Sequence, residues 1–219
     1  SSVGDLKALT LNNPNGTTLI GGLTIAETLT LTNGILVLND DDLSVPASGI
    51  TGGAASYVNV NSINDGRLTI TGVTSSAVSI PVGYSYLTLD SYTPLTLSNS
   101  ETTGFEIGIK RINDPDEFIY EVPSPEFVAL QWDISRSAAG LGNVTFNWNA
   151  GEAYDYAPTY VGRTPDAGTD WTPAGIIEAG ATTTSITVTG ITNFSSFAAY
   201  KATPVIDWSD PSDITYGDL

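Results

Sequence analysis

Along the first third of the chain, apolar and polar positions alternate in short bursts. Triplets of the form apolar–Thr–apolar recur: Leu9-Thr10-Leu11, Leu23-Thr24-Ile25, Leu29-Thr30-Leu31 and, later, Leu68-Thr69-Ile70. Leu36-Val37-Leu38 and Leu43-Ser44-Val45 are variants of the same pattern. Alternation sends the outer two side chains to one face and the middle one to the other. Threonine is β-branched and suits an exposed strand face. Turn signals separate the triplets: Asn13-Pro14-Asn15-Gly16, Gly21-Gly22, Asn33-Gly34 and Asn64-Asp65-Gly66. Strands this short cannot hold a sheet alone. Stacked as rungs of a β-solenoid, they bury one continuous apolar column. The spacing between triplets is irregular, so a meander of ordinary hairpins stands as the alternative.

From about Ala77 the alternation lengthens and becomes aromatic. Phe105, Ile107 and Ile109 alternate with Glu106, Gly108 and Lys110; Val128, Leu130, Trp132 and Ile134 alternate with Ala129, Gln131, Asp133 and Ser135. Val144, Phe146 and Trp148, then Ile186 and Val188, repeat the pattern. Each reads as a strand with one buried face. Together they predict a β-sandwich whose two sheets bring Trp132, Trp148, Phe105 and Phe146 into one core. No segment has helical periodicity. The expected organisation is therefore all-β: a short β-solenoid-like segment over residues 1–76, an antiparallel β-sandwich over 77–202, and a linker or the truncated start of a further repeat over 203–219.

Composition narrows the chemistry. The chain contains neither Cys nor His, which removes thiolate nucleophiles, disulfides, the commonest general base and the commonest zinc ligands. The net charge is −17, which repels phosphate and argues against nucleic acid and against an anionic membrane surface. No stretch is long and apolar enough for membrane insertion as a helix. Only 14% of residues are charged, while there are 29 threonines and 22 glycines; a surface of Thr, Ser, Asn and Asp is typical of secreted proteins. The chain lacks Met and begins Ser1-Ser2-Val3-Gly4, so it is expected to be processed or to be a fragment.

Several segments resemble a module of large secreted surface proteins of Bacteroidetes. The opening run from Leu9 to Asn13, Gly22 to Ile25 and Leu29 to Leu36 is similar to the start of that module. Ile80-Pro81-Val82-Gly83, followed by Tyr92-Thr93-Pro94-Leu95-Thr96-Leu97, resembles its FPVG and Y-x-P-x-x-L signature, with Ile in place of Phe. Trp132-Asp133-Ile134, Trp171 and Asn193-Phe194-Ser195-Ser196-Phe197-Ala198 match further features, and Trp208 to Gly217 resembles the opening of the Ig-like repeats that often follow. The resemblance implies a cell-surface or extracellular adhesin or appendage exported by the type IX system. No C-terminal type IX sorting domain is present, and the family carries no catalytic residues.

Two acidic runs are candidates for a hard cation. Asp40, Asp41 and Asp42 form one; Asp114, Asp116 and Glu117 form the other. Calcium, the one cofactor the sequence suggests, takes six to eight oxygen ligands. Against it, neither run has EF-hand spacing, and Asx residues also cap their own turns. Glu106, Glu121, Glu126, Asp133 and Glu152 are available as paired carboxylates for glycoside hydrolysis, but nothing selects a pair.

Tyr154, Tyr156, Tyr160 and Trp171 lie in one loop-rich stretch and could stack on surface glycans, or pack beneath the loops as a small core. Strand edges are the remaining feature. Lys7 is the one candidate blocking charge among the acids of the first third, so an edge there could add a strand from another copy. The tail, with Val205, Ile206, Trp208 and Ile214, could dock on it. The expected function is accordingly non-enzymatic: a structural or adhesive extracellular protein, a subunit or terminal domain of a surface filament. Its partners would be copies of itself or further domains of the same chain. A monomeric carbohydrate-binding module is the alternative.

Overall fold

The computed structural model describes residues 4–60, 66–86, 89–111, 127–152, 157–164, 172–177 and 181–201. The molecule is all-β: about three turns of β-solenoid over residues 6–83, followed by antiparallel sheets. Among the described residues the only helical pieces are two single 3-10 turns, Ala47–Gly49 and Ala150–Glu152.

Ten strands make the solenoid and its exit. They are β1 (Gly4–Asn12), β2 (Thr17–Thr18), β3 (Leu23–Asn33), β4 (Leu36–Val37), β5 (Leu43–Pro46), β6 (Ile50–Thr51), β7 (Val58–Asn59), β8 (Leu68–Val73), β9 (Val78–Ile80) and β10 (Val82–Tyr86). One wall stacks β1, β3, β5 and β8 in parallel, with β6 also on β3; the other stacks β2, β4, β7 and β10 in parallel.

The register explains the irregular spacing of the triplets, because they belong to three interleaved columns. Leu23-Thr24-Ile25, Leu43-Ser44-Val45 and Leu68-Thr69-Ile70 lie on one another. Leu9-Thr10-Leu11 lies on Leu29-Thr30-Leu31. Leu36-Val37 lies on Val58-Asn59 and then on Val82-Gly83 in the second wall. The long strand β3 thus carries two triplets, one for each column of the first wall. Ile25, Leu29, Leu31, Leu36, Leu43, Val45, Leu68 and Ile70 are all buried, while Thr28, Thr30 and Thr32 face out. Each such aliphatic side chain contributes about 1.5–3 kcal/mol by burial.

The corners also stack. Gly34 has φ of 81° and sits against the preceding corner, where a Cβ would overlap the carbonyl oxygen of Asn13. The neighbouring backbone is tied by Asn13 N–H to the Asn33 carbonyl and by Gly34 N–H to the Ala55 carbonyl. Only glycine satisfies both the left-handed φ and the close approach.

The remaining strands are β11 (Leu89–Tyr92), β12 (Leu95–Asn99), β13 (Thr103–Arg111), β14 (Phe127–Arg136), β15 (Gly142–Asn147), β16 (Tyr160–Thr164), β17 (Thr172–Pro173), β18 (Ile176–Ile177), β19 (Ser185–Ile191) and β20 (Ser196–Tyr200). The first solenoid wall does not end at β8. It continues antiparallel through β13, β14, β20, β16 and β17 as a single ten-stranded sheet. A second antiparallel sheet, β18-β19-β15-β12-β9, faces it.

Between the two sheets Trp132 packs against Phe146 and Trp148, with ring centroids 4.9 and 6.3 Å apart, and Phe105 is fully buried. The four rings expected in the core are there. One apolar cluster runs without interruption from Ile25 in the solenoid to Ala199 in the last strand, so the two architectures share a core.

The chain passes between solenoid and sandwich at two adjacent crossings. Ile80 closes β9 in the sandwich sheet, and after Pro81 Val82 opens β10 in the solenoid wall. Tyr92 pairs with Gly83, and after Thr93-Pro94 Leu95 pairs with Ile80. The segments quoted above as signatures are therefore these two crossings, side by side. Thr93 N–H donates to the Val82 carbonyl, and Val58 N–H to that of Pro81.

Candidate functional site

Asp40, Asp41 and Asp42 sit at a solenoid corner, where two of the three bridge neighbouring turns. Asp41 Oδ2 accepts from Gly21 N–H at 2.9 Å, and Asp42 Oδ1 accepts from Arg67 N–H at 3.0 Å. Asp42 also accepts through its carbonyl from Leu23 N–H. These carboxylates satisfy backbone donors on the turns before and after their own, an arrangement the run itself did not reveal. Among the described residues no group of three or more His, Cys, Asp or Glu is placed to hold a metal ion. Asp114, Asp116 and Glu117 lie outside the described residues.

Of the four candidate glycan-stacking rings, Tyr154, Tyr156 and Trp171 also lie outside the described residues. Tyr160 lies on β16, with its ring 4.9 Å from that of Tyr200. It packs on a small satellite cluster of Phe127, Ala198 and Tyr200. Burial raises the pKa of both phenols above the usual tyrosine value. The tail over 203–219 is outside the described residues as well.

The solenoid ends differently at its two faces. On the C-terminal side β8 is covered by β13. On the N-terminal side β1 and β2 are the outermost strands of their walls, and no described strand pairs with their outer edges. The other outermost strands, β2, β9, β11, β17 and β18, have two to four residues, whereas β1 has nine. Short strands are a usual protection for an edge; β1 lacks it. Lys7 does not stand free there: its Nζ pairs with Glu27 of β3 at 3.1 Å. Two exposed large apolar side chains, Leu6 and Ile20, belong to this first turn, at 42% and 91% exposure.

Sequence reasoning passed over a buried polar joint. Glu152, only 4% exposed, leaves the short 3-10 turn after β15 and reaches the solenoid exit. Its Oε1 accepts from the hydroxyls of Tyr84 and Ser91, and its Oε2 from Asn149 N–H at 2.8 Å. Asn149 Nδ2 in turn donates to Ser91 Oγ at 2.6 Å. Burial, reinforced by the hydrogen bond and charge of Glu152, raises the Tyr84 pKa. Three partners for one carboxylate mark a structural clamp between β10, β11 and the sandwich. The signal available in the sequence was weak, since Glu152 is one of many acids and its partners are 61 and 68 residues away.

A second joint centres on Arg136. Its guanidinium donates to Asn99 Oδ1, to the Gly140 carbonyl and to the Thr192 carbonyl, and lies 5.0 Å from the centre of the Phe194 ring. Phe194, from the Asn193 to Ala198 segment, continues the stack to Phe105 and Phe197.

No family model, curated protein or solved structure matches this chain. No helix among the described residues is long and apolar enough to cross a membrane.

Proposed function

We propose that this chain is a non-enzymatic structural and adhesive module of a bacterial cell surface, joined to copies of itself through the edge of β1. The observation that carries the reading is the nine-residue outer edge of β1, which no described strand pairs, on a turn that also exposes Leu6 and Ile20. An edge of this length presents a row of backbone donors and acceptors to another strand. The far end of the solenoid is covered by β13, so this contact joins edge to edge about a two-fold axis and does not propagate. That geometry suits a terminal domain better than a repeating link. Localisation outside the cell, export by the type IX route and continuation into further domains follow from the resemblance of the crossing segments and the tail to the Bacteroidetes module. The Thr-rich outer face of β3 and the absence of Cys and His are consistent with it.

Light scattering over a range of concentrations tests the reading. A mass of twice the monomer is expected, returning to the monomer when Ala8→Glu and Thr10→Glu place like charges on the exposed face of β1. A monomer at every concentration, or a dimer indifferent to both substitutions, would overturn it.

A further inference from the structure

The outer face of the second solenoid wall carries a groove of about 450 Å³, within the usual range for small-molecule sites. It runs from the first corner, at Asn15, across Thr18 and Val37 to the paired strands β10 and β11. Tyr57 and Tyr92 close it as an aromatic wall, with ring centroids 5.6 Å apart. The wall exists because β10 has Gly83 at this point: the Tyr57 ring lies over it, where any Cβ would collide. Ser85 and Asp90 form the polar end, with Ser85 Oγ donating to Asp90 Oδ1 at 2.5 Å. Asn59 Nδ2 donates to that same Ser85 Oγ, so the carboxylate is oriented from the strand behind it.

Two observations point to a ligand. Tyr57 is 2% exposed, and its hydroxyl has no hydrogen-bond partner among the described residues. A buried hydroxyl without a partner is costly and uncommon. Tyr92, by contrast, is only half-buried and offers ring surface beside the exposed Asp90. No lysine or arginine lines the groove, and the whole chain carries −17, which disfavours anions.

We propose that this groove binds a neutral saccharide of one or two rings, stacked on Tyr92 and hydrogen-bonded through Asp90 and Tyr57. Aromatic surface matches the apolar face of a sugar ring, while an oriented carboxylate accepts from its hydroxyls and a phenol both donates and accepts. The site lies on the opposite wall from β1 and does not depend on how copies assemble.

Saturation-transfer NMR with the methyl glycosides of glucose, galactose, mannose and N-acetylglucosamine tests it, with methyl glucuronide as the anionic comparison. Transfer to at least one neutral glycoside is expected, at an affinity near ~1 mM. Tyr92→Ala should weaken binding about tenfold or more, and Asp90→Asn and Tyr57→Phe several-fold, with Tyr160→Ala without effect. Asp90 is exposed, so Asp90→Asn remains informative if Tyr92→Ala does not fold. The proposal is overturned by transfer to none of the four. It is equally overturned by binding undiminished in both Asp90→Asn and Tyr57→Phe, or by equal binding of the glucuronide.

Discussion

The ten-stranded sheet is two different structures on either side of β8. Toward β1, strands run parallel and each stacks on the turn made just before it. Toward β17, they run antiparallel, and β14 pairs with β20 across a long stretch of chain. The parallel half is filled by Leu, Ile and Val, with stacked corners at Asn13–Gly16 and Asn33–Gly34. The antiparallel half is filled by rings, with Trp132, Phe146 and Trp148 between the sheets. Small, uniform side chains suit identical turns laid at a fixed strand spacing; large ones suit the wider gap between two facing sheets. The halves nonetheless have one uninterrupted apolar cluster and, at Glu152, one polar joint between them. Difference in architecture is not independence in energy.

The largest effects should come from emptying that common core on either side. Trp132→Ala is expected to cost about 3–5 kcal/mol and Leu43→Ala about 2–5 kcal/mol. Both should lower a single unfolding transition seen by calorimetry. Two separate transitions, each sensitive to only one substitution, would show that the halves unfold apart. Next is the clamp between them: Glu152→Ala strands the hydroxyls of Tyr84 and Ser91 and should cost about 2–4 kcal/mol in urea melts. A cost as small as that of exposed Glu27→Ala, within ~0.5 kcal/mol, would make the joint ornamental.

A smaller, pH-dependent effect sharpens the comparison. Burial raises Tyr57 and Tyr84 at the solenoid exit, and Tyr200 in the sandwich, above the ordinary tyrosine value of 10.0. For Tyr57 and Tyr84 the charge of Glu152 adds to that rise. The folded chain keeps these protons where the unfolded chain gives them up. The stability they contribute is therefore complete below pH 10 and is lost as pH climbs through the folded values. The urea midpoint should stay level through neutral pH and fall above about pH 10. Tyr57→Phe should reduce the slope of that fall. Near neutrality the same substitution should be the mildest of all, within about 1 kcal/mol and in the stabilising direction, because it removes a buried hydroxyl that has no partner among the described residues.

The periodicity made much of the fold legible. The apolar–Thr–apolar triplets, the glycine corners and the alternating aromatic strands each report a local choice of face, and local alternation is what a strand imposes. Register was not legible, because it depends on which triplet meets which; β3 carrying two of them made a regular stack look irregular in sequence. The joints were hidden for the same reason. Glu152 meets Tyr84, and Arg136 meets Asn99 and Phe194, only after the sheets have closed. The groove was missed because its aromatic wall comes from residues 57 and 92, brought together by Gly83, whereas aromatic clustering along the chain drew attention to residues 154 to 171. The Asp40 to Asp42 run was read as either cation site or turn cap; Asp41 and Asp42 cap backbone beyond their own turn.

The parallel stacking of β1, β3, β5 and β8 has a consequence for the order of events as the polypeptide emerges. Each turn needs only its predecessor as a template, so the loops to be closed are short and assembly can advance from the N-terminus. The strand β8 is the point where this stops, because its free side is completed by β13, and the sheet beyond it waits for β20. The N-terminal part is thus able to zip up early, but its rim at β8 stays open until β13 arrives, and the edge of β14 then stays open until β20 docks. For a chain delivered end-first, that rim is the interval of greatest exposure to wrong partners, and the rate-limiting step should be the docking of β20 on β14.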